Sequence, residues 1–271
     1  MKIAFIGGGN MASALIGGLL AKGYAVDAVS VVELIAPARA ALAAKYKVHV
    51  SEAPDERTFV ADTIVLAVKP QDMRSAVTGM GSRLQGQLVI SIAAGIRLED
   101  LSRWLGGYRK LVRVMPNTPA LIGAGIAGLY AGPEVSVDER QRAQTVLGAV
   151  GKTVWVEDEA LIDPVTAVSG SGPAYVFYFI EALEKAGVDL GLAPQAARVL
   201  AIETFVGAAR LAAESSEPPG VLRERVTSKG GTTEAALKVF AAEDIAERIG
   251  KALKAASDRG AEMGRQLGKD A

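Results

Sequence analysis

The chain has 271 residues, half of them hydrophobic, enough to bury a sizeable core in one large domain or two ordinary ones. Thirty basic residues balance thirty acidic ones, which speaks against a nucleic-acid partner, and no block of like charges suggests one. There is no cysteine and one histidine, His49, so disulfides, thiolate catalysis and any cysteine-ligated or multi-histidine metal site are excluded.

Along the chain, residues 1–160 alternate between short β-rich runs and helix-like runs. Strands are expected at 2–6, 28–32, 63–67, 88–92, 111–114 and 153–156, and His49 between two valines reads as part of another short strand. Ile64-Val65-Leu66-Ala67-Val68 and Leu88-Val89-Ile90-Ser91-Ile92 have no polar face, as expected of parallel strands covered on both sides. Helices are expected between them at 11–22, 36–45, 71–83 and 137–148. This alternation predicts a Rossmann-like, doubly wound α/β sheet.

Beyond residue 160 the strand-like runs stop. Helices are expected at 174–186, 194–214, 219–226, 232–240 and from 244 towards 267, with a frayed tail at 268–271. Pro194 suits a first helical turn, and Pro218-Pro219 separates two helices. Residues 161–271 therefore read as an all-α second domain. Tyr175, Phe177, Tyr178, Phe179 and Leu183 surround one helix almost completely. A helix apolar on most faces must be buried on most faces, which points to a partner chain or to cover from the first domain. The apolar run at Ile3-Ala4-Phe5-Ile6 is too short for a signal-peptide core, and no stretch approaches a membrane span. A cytoplasmic protein with no membrane partner is expected.

The first strand runs straight into Gly7-Gly8-Gly9-Asn10-Met11-Ala12, a G-x-G-x-x-A turn opening a helix. Gly7 permits the tight turn, Gly9 leaves room for a pyrophosphate, and Ala12 lets the helix pack close to the sheet. The helix N-terminus offers free N–H groups and a positive dipole end to phosphates. Glu33, at the end of the second strand, is placed to take a ribose 2′-OH, which favours NADH; Arg39 lies further on and could reach a 2′-phosphate.

Three further segments carry candidate ligand contacts. Ala67-Val68-Lys69-Pro70 ends a buried strand, where ligands of open α/β sheets bind. Asn117, in the stiff loop Met115-Pro116-Asn117-Thr118-Pro119, presents an amide suited to a nicotinamide or a substrate. The small-residue segments Ser169-Gly170-Ser171-Gly172-Pro173 and Thr227-Ser228-Lys229-Gly230-Gly231-Thr232-Thr233 each lead into a helix. Successive N–H groups at Gly230, Gly231 and Thr232 could form a nest for a small carboxylate, with the Thr232 and Thr233 hydroxyls beside it. Each is equally readable as a rigid turn or a helix cap.

Taken in order, these segments resemble the pyrroline-5-carboxylate reductase family over nearly the whole chain. The resemblance implies a dinucleotide-binding domain followed by a helical domain that forms an intertwined homodimer, which in the family often assembles into a decamer. It implies reduction of the C=N bond of 1-pyrroline-5-carboxylate to L-proline, the last step of proline biosynthesis. Gly7 to Ala12 and Ala67 to Pro70 would hold the cofactor. Gly230, Gly231 and Thr232, with Ser228 in the same loop, would hold the substrate carboxylate, and Thr233 would act on the ring nitrogen. The family expectation is NADP(H), against which Glu33 stands as an argument for NAD(H). Lys229 occupies a place where many members have proline. No strong acid presents itself as proton donor, but an imine can take its proton from water. Two other readings fit the first domain: a non-catalytic dinucleotide sensor, and a β-hydroxy-acid dehydrogenase of similar layout, for which no lysine acid/base is evident.

Overall fold

The computed structural model describes residues 1–269; Asp270 and Ala271, part of the tail expected to fray, lie outside the described residues. The strands are β1 (Ile3–Ile6), β2 (Val29–Val32), β3 (His49–Ser51), β4 (Thr63–Leu66), β5 (Leu88–Ser91), β6 (Leu111–Met115), β7 (Gly125–Ala131) and β8 (Gly151–Trp155). They form one eight-stranded sheet in the order β3-β2-β1-β4-β5-β6-β7-β8. All neighbouring pairs are parallel except β6 and β7. The helices are α1 (Asn10–Ala21), α2 (Ala36–Tyr46), α3 (Glu56–Phe59), α4 (Met73–Val77), α5 (Leu98–Trp104), α6 (Val137–Leu147), α7 (Ile162–Val165), α8 (Gly172–Asp189), α9 (Pro194–Glu214), α10 (Pro219–Arg225), α11 (Thr232–Ala242) and α12 (Ile245–Leu267).

The chain divides into two compact units. The first comprises Met1–Ser171 and the segment from Lys254 onward; the second is Gly172–Leu253. In the first unit β1, β2, β4 and β5 are buried throughout, which their unbroken apolar runs require. Two apolar clusters line the sheet, one around Phe5, Leu15, Ile16 and Val112, the other around Ile64, Leu66, Met73 and Leu101. The composition changes near residue 160, yet residues up to Ser171 stay with the sheet. The reason is that Ile162 and Ala167 are each 2% exposed and Val165 packs on β7. The end of α12 returns to this unit: Gly264 is buried beside Arg97, and Arg103 Nη2 donates to the Gly268 carbonyl at 2.6 Å.

One expectation is corrected. The helix expected at 71–83 is broken into a 3-10 turn at Pro70–Asp72, the five-residue α4, and another 3-10 turn at Gly81–Arg83, because the chain leaves helical geometry at Thr78 (ψ 127°) and Gly79 (φ +79°). Strand β7 falls outside the expected strands and pairs antiparallel with β6. Its sequence Gly-Ile-Ala-Gly-Leu-Tyr-Ala lacks a strong β signal, since Gly128 is kept small by the Val165 side chain above it. What holds β7 as a strand is hydrogen bonding to β6 on one side and β8 on the other. Helices α3, α5 and α7 fall outside the expected set, and each is only about two turns or fewer.

The second unit is helical, with α8 and α9 joined by the turn at Leu190–Leu192. They meet through small residues: a Cβ added at Gly187 would stand 3.1 Å from that of Ala197, and Ala197 and Ala201 are buried. The aromatic side chains of α8 stay open, Phe177 being 65% and Tyr178 68% exposed. Among the described residues no helix is long and apolar enough to cross a membrane.

Candidate functional site

In the first unit the turn after β1 faces a cleft of about 770 Å³. Gly7 sits at φ +95°, and a Cβ there would lie 2.8 Å from the Ala67 carbonyl oxygen, so the close pass of this turn over the end of β4 demands glycine. A Cβ on Gly8 would overlap Leu42 Cδ1. Gly9 differs: nothing lies within 4 Å of where its Cβ would be. It is the N-cap of α1 and supplies no side-chain cap, and no acidic residue sits in the first turn. The first-turn N–H groups of a twelve-residue helix are thus left without a side-chain acceptor, beside open space. Ala12, 1% exposed, faces the core, where a larger side chain would push α1 from the sheet. These features suit a pyrophosphate, so the residues present fit a dinucleotide.

Glu33 closes the other side of the turn. Its Oε2 accepts the Gly8 N–H and its Oε1 the Ile35 N–H, both at 2.9 Å. Leu34 and Ile35, 76% and 64% exposed, line the cleft next to it. Arg39 points its Nη1 at the carbonyls of Glu33 (2.6 Å) and Leu34 (3.1 Å), and its Nη2 lies 3.4 Å from Glu52 Oε2. Ala67, Val68 and Lys69 line the cleft from the β4 side, and Pro70 starts the 3-10 turn that Lys69 caps.

Several lining residues carry no motif signal. Phe59, on α3, has the Arg83 guanidinium over its ring at 3.8 Å. Ser75 and Thr78 line the cleft from the broken helix segment. Their only signal in the sequence is position after a parallel strand, which does not single them out.

Asn117 is not among the residues lining this cleft. It is 8% exposed, and its amide is engaged at both ends: Oδ1 accepts the Ile126 N–H at 2.9 Å and Nδ2 donates to the Ser169 carbonyl at 3.2 Å. The amide ties the loop after β6 to β7 and to the π-helical turn Thr166–Gly170. Nearby, buried Arg113 reaches Glu159 Oε1 and Asp163 Oδ1, each at 3.2 Å. This ion-pair cluster fastens β6 to the α7 segment and is structural in character.

The second unit holds the glycine–threonine loop. Gly230 adopts φ +74° and Gly231 is the N-cap of α11, again without a side-chain cap. The Gly230 N–H donates to Glu234 Oε2 at 2.7 Å and the Gly231 N–H to the Ser228 carbonyl at 3.0 Å. The run of open N–H groups expected from Gly230 therefore begins at Thr232, the first residue of α11. Ser228 and Thr232 are exposed and Thr233 is half-buried; Ser228 precedes α11, and Thr232 and Thr233 are its first two residues. Among the described residues no cluster of three or more acidic or histidine side chains could hold a metal ion.

Comparison with known proteins agrees with this anatomy. Residues 159–263 match the family model for pyrroline-5-carboxylate reductase dimerisation, and residues 2–95 match that of coenzyme F420-dependent NADP oxidoreductases. A pyrroline-5-carboxylate reductase of Pseudomonas aeruginosa is 47% identical over 269 residues, covering 99% of this chain and 98% of that one. A solved structure of the Coxiella burnetii enzyme superposes with a TM-score of 0.92 at 40% identity, over 97% of this chain and 98% of that one. The Plasmodium falciparum enzyme, solved with NADP bound, gives 0.85 at 28% identity over the same shares.

Proposed function

This chain belongs to the pyrroline-5-carboxylate reductase family, and we propose from that premise how its residues divide the work. It is an NAD(P)H-dependent oxidoreductase that reduces the cyclic imine 1-pyrroline-5-carboxylate to L-proline, the closing step of proline biosynthesis, and it forms a homo-oligomer. The observation that carries the reading is the full-length likeness to reductases, joined to an uncapped α1 N-terminus on an open cleft.

When bound, the reduced dinucleotide supplies the hydride and its electron pair to the imine carbon, and the ring nitrogen keeps the proton it takes from water. The protein's residues bind and orient. Gly7 to Ala12 hold the pyrophosphate through the N–H groups of the first turn of α1, with Ala67 to Pro70 beside it. The first-turn N–H groups of α11, with the loop Ser228 to Thr232, hold the substrate carboxylate, and the α11 dipole favours the negative charge. Glu234 already occupies the Gly230 N–H, so the substrate carboxylate either displaces it or relies on Thr232 and Thr233. The Thr233 hydroxyl accepts the N–H of the protonated ring nitrogen and fixes the orientation of the C=N bond. Positioning of this kind, with an electrophile activated by its own protonation, needs no strong acid from the protein. The exposed aromatic face of α8 supports a homodimer, which on this reading assembles further into a decamer in the cytoplasm.

The test is loss of absorbance at the reduced-nicotinamide band with pyrroline-5-carboxylate, with proline assayed in the same reaction. One proline per dinucleotide oxidised is expected. Thr233→Ala should lower kcat/KM by roughly tenfold or more, the scale of one positioning hydrogen bond. Unchanged turnover would remove Thr233 from the mechanism, and dinucleotide binding without any turnover would leave a sensor.

A further inference from the structure

We infer that the end of β2 selects against a 2′-phosphate on the adenosine ribose, so that this enzyme takes NADH in preference to NADPH. The inference deepens the reductase reading and rests on it, since it concerns the dinucleotide which that reading places in the cleft.

Three observations carry it. The first is that Glu33 is held in place. Two backbone N–H groups, from Gly8 and Ile35, each grip one of its oxygens at 2.9 Å, so the carboxylate is fixed beside the glycine turn. An acceptor-only group so fixed suits a ribose diol, whose hydroxyls donate; a phosphate dianion brings no proton to give and meets a like charge. Moving Glu33 aside would break both backbone bonds.

The second is that the donors flanking Glu33, two backbone N–H groups and the Arg39 guanidinium, are already engaged. The Gly8 and Ile35 N–H groups are taken by Glu33 itself. Arg39, the cation nearest in sequence, directs Nη1 at the Glu33 and Leu34 carbonyls and Nη2 at Glu52. Recruiting it would orphan those acceptors, and Glu52, which also lines the cleft, adds a second carboxylate on that side.

The third is what stands next to Glu33 in the cleft wall. Leu34 and Ile35 are open aliphatic side chains. Their side chains can pack on the flat face of an adenine but offer no charge or donor to a phosphate. The cations lining the cleft are Lys69, at the end of β4 and so separated from β2 by β1, and Arg83, stacked on Phe59.

The experiment measures binding, independent of turnover. NADH and NADPH are titrated into the full-length protein, following the fluorescence of the bound dihydronicotinamide, with calorimetry as a second readout. The wild type should bind NADH at least about tenfold more tightly, the scale of one charge-assisted hydrogen bond. Glu33→Gln, which keeps an acceptor and removes the charge, should bring the two dissociation constants together, chiefly by improving NADPH. Glu33→Ser should do the same. Equal or tighter binding of NADPH by the wild type overturns the inference while leaving the reductase standing. An unchanged ratio in both variants also overturns it. Failure to bind either dinucleotide sinks the reductase reading and this inference with it.

Discussion

Asp55 accepts the Thr58 N–H at 3.2 Å as the N-cap of α3 and faces His49 Nε2 at 2.6 Å. Burial by itself would raise its pKa, but the hydrogen bonds from His49 and the Thr58 N–H together outweigh burial and hold the carboxyl below its ordinary value of 3.8. A depressed folded-state pKa gives stability that is present above the unfolded value and lost as the pH falls through the folded one. Asp55→Ala should therefore cost about 1 kcal/mol at neutral pH, the usual value of a lost N-cap. The gap to wild type should narrow in acid, below 3.8. Urea unfolding at both conditions measures this, and a gap that widens in acid would contradict the assignment. Part of this is legible in the sequence: valines on both sides of His49 mark a strand. Its carboxylate partner is not, because Asp55 reaches it only by way of the loop after β3, whose path no local pattern encodes.

What can be read of the elements in advance is what neighbouring residues decide. β1, the glycine turn and α1 form one local unit whose steric demands are written in consecutive residues, and the structure places them within a residue of expectation. β7 depends on partners distant in sequence, and its glycines answer to Ala120 and Val165 rather than to strand propensity. Asn117 belongs with that non-local part. Its amide is legible as a conspicuous polar group in a stiff loop, but its partners, Ile126 and Ser169, are set by β7 and the π-helical turn. Asn117→Ala would leave the Ile126 N–H and Ser169 carbonyl without this partner, at a cost of roughly 1–3 kcal/mol. Asn117→Asp keeps the acceptor for Ile126 but sets a buried carboxylate oxygen against the Ser169 carbonyl, and should cost at least as much as Ala. Denaturant midpoints check the order. A variant that unfolds like wild type yet binds dinucleotide more weakly would instead make Asn117 a ligand contact.

At the scale of the whole molecule, the second unit leaves more apolar surface open than a lone chain needs. On α8 alone Val176, Phe177, Tyr178 and Leu183 are 42%, 65%, 68% and 47% exposed, with Phe240 of α11 at 53%. Scattered exposed leucines are ordinary, but aromatic residues gathered on one helix mark an interaction surface. The helix carrying them lies within the stretch that matches a dimerisation family, so a second copy of the same chain is the expected occupant. Because Phe177 is mostly exposed within its own chain, Phe177→Glu removes little of that chain's core and places a charge where two copies would meet. Sedimentation velocity should show the wild type as a dimer or a multiple of it, and Phe177→Glu as a smaller species. Its circular dichroism should still report folded helices at low temperature, and its thermal midpoint should become independent of protein concentration while that of the wild type rises with it. An unchanged mass for both Phe177→Glu and Tyr178→Lys would take α8 out of the interface. The open aromatic face would then need a different occupant, and the self-association would have to be carried by other surfaces of the second unit.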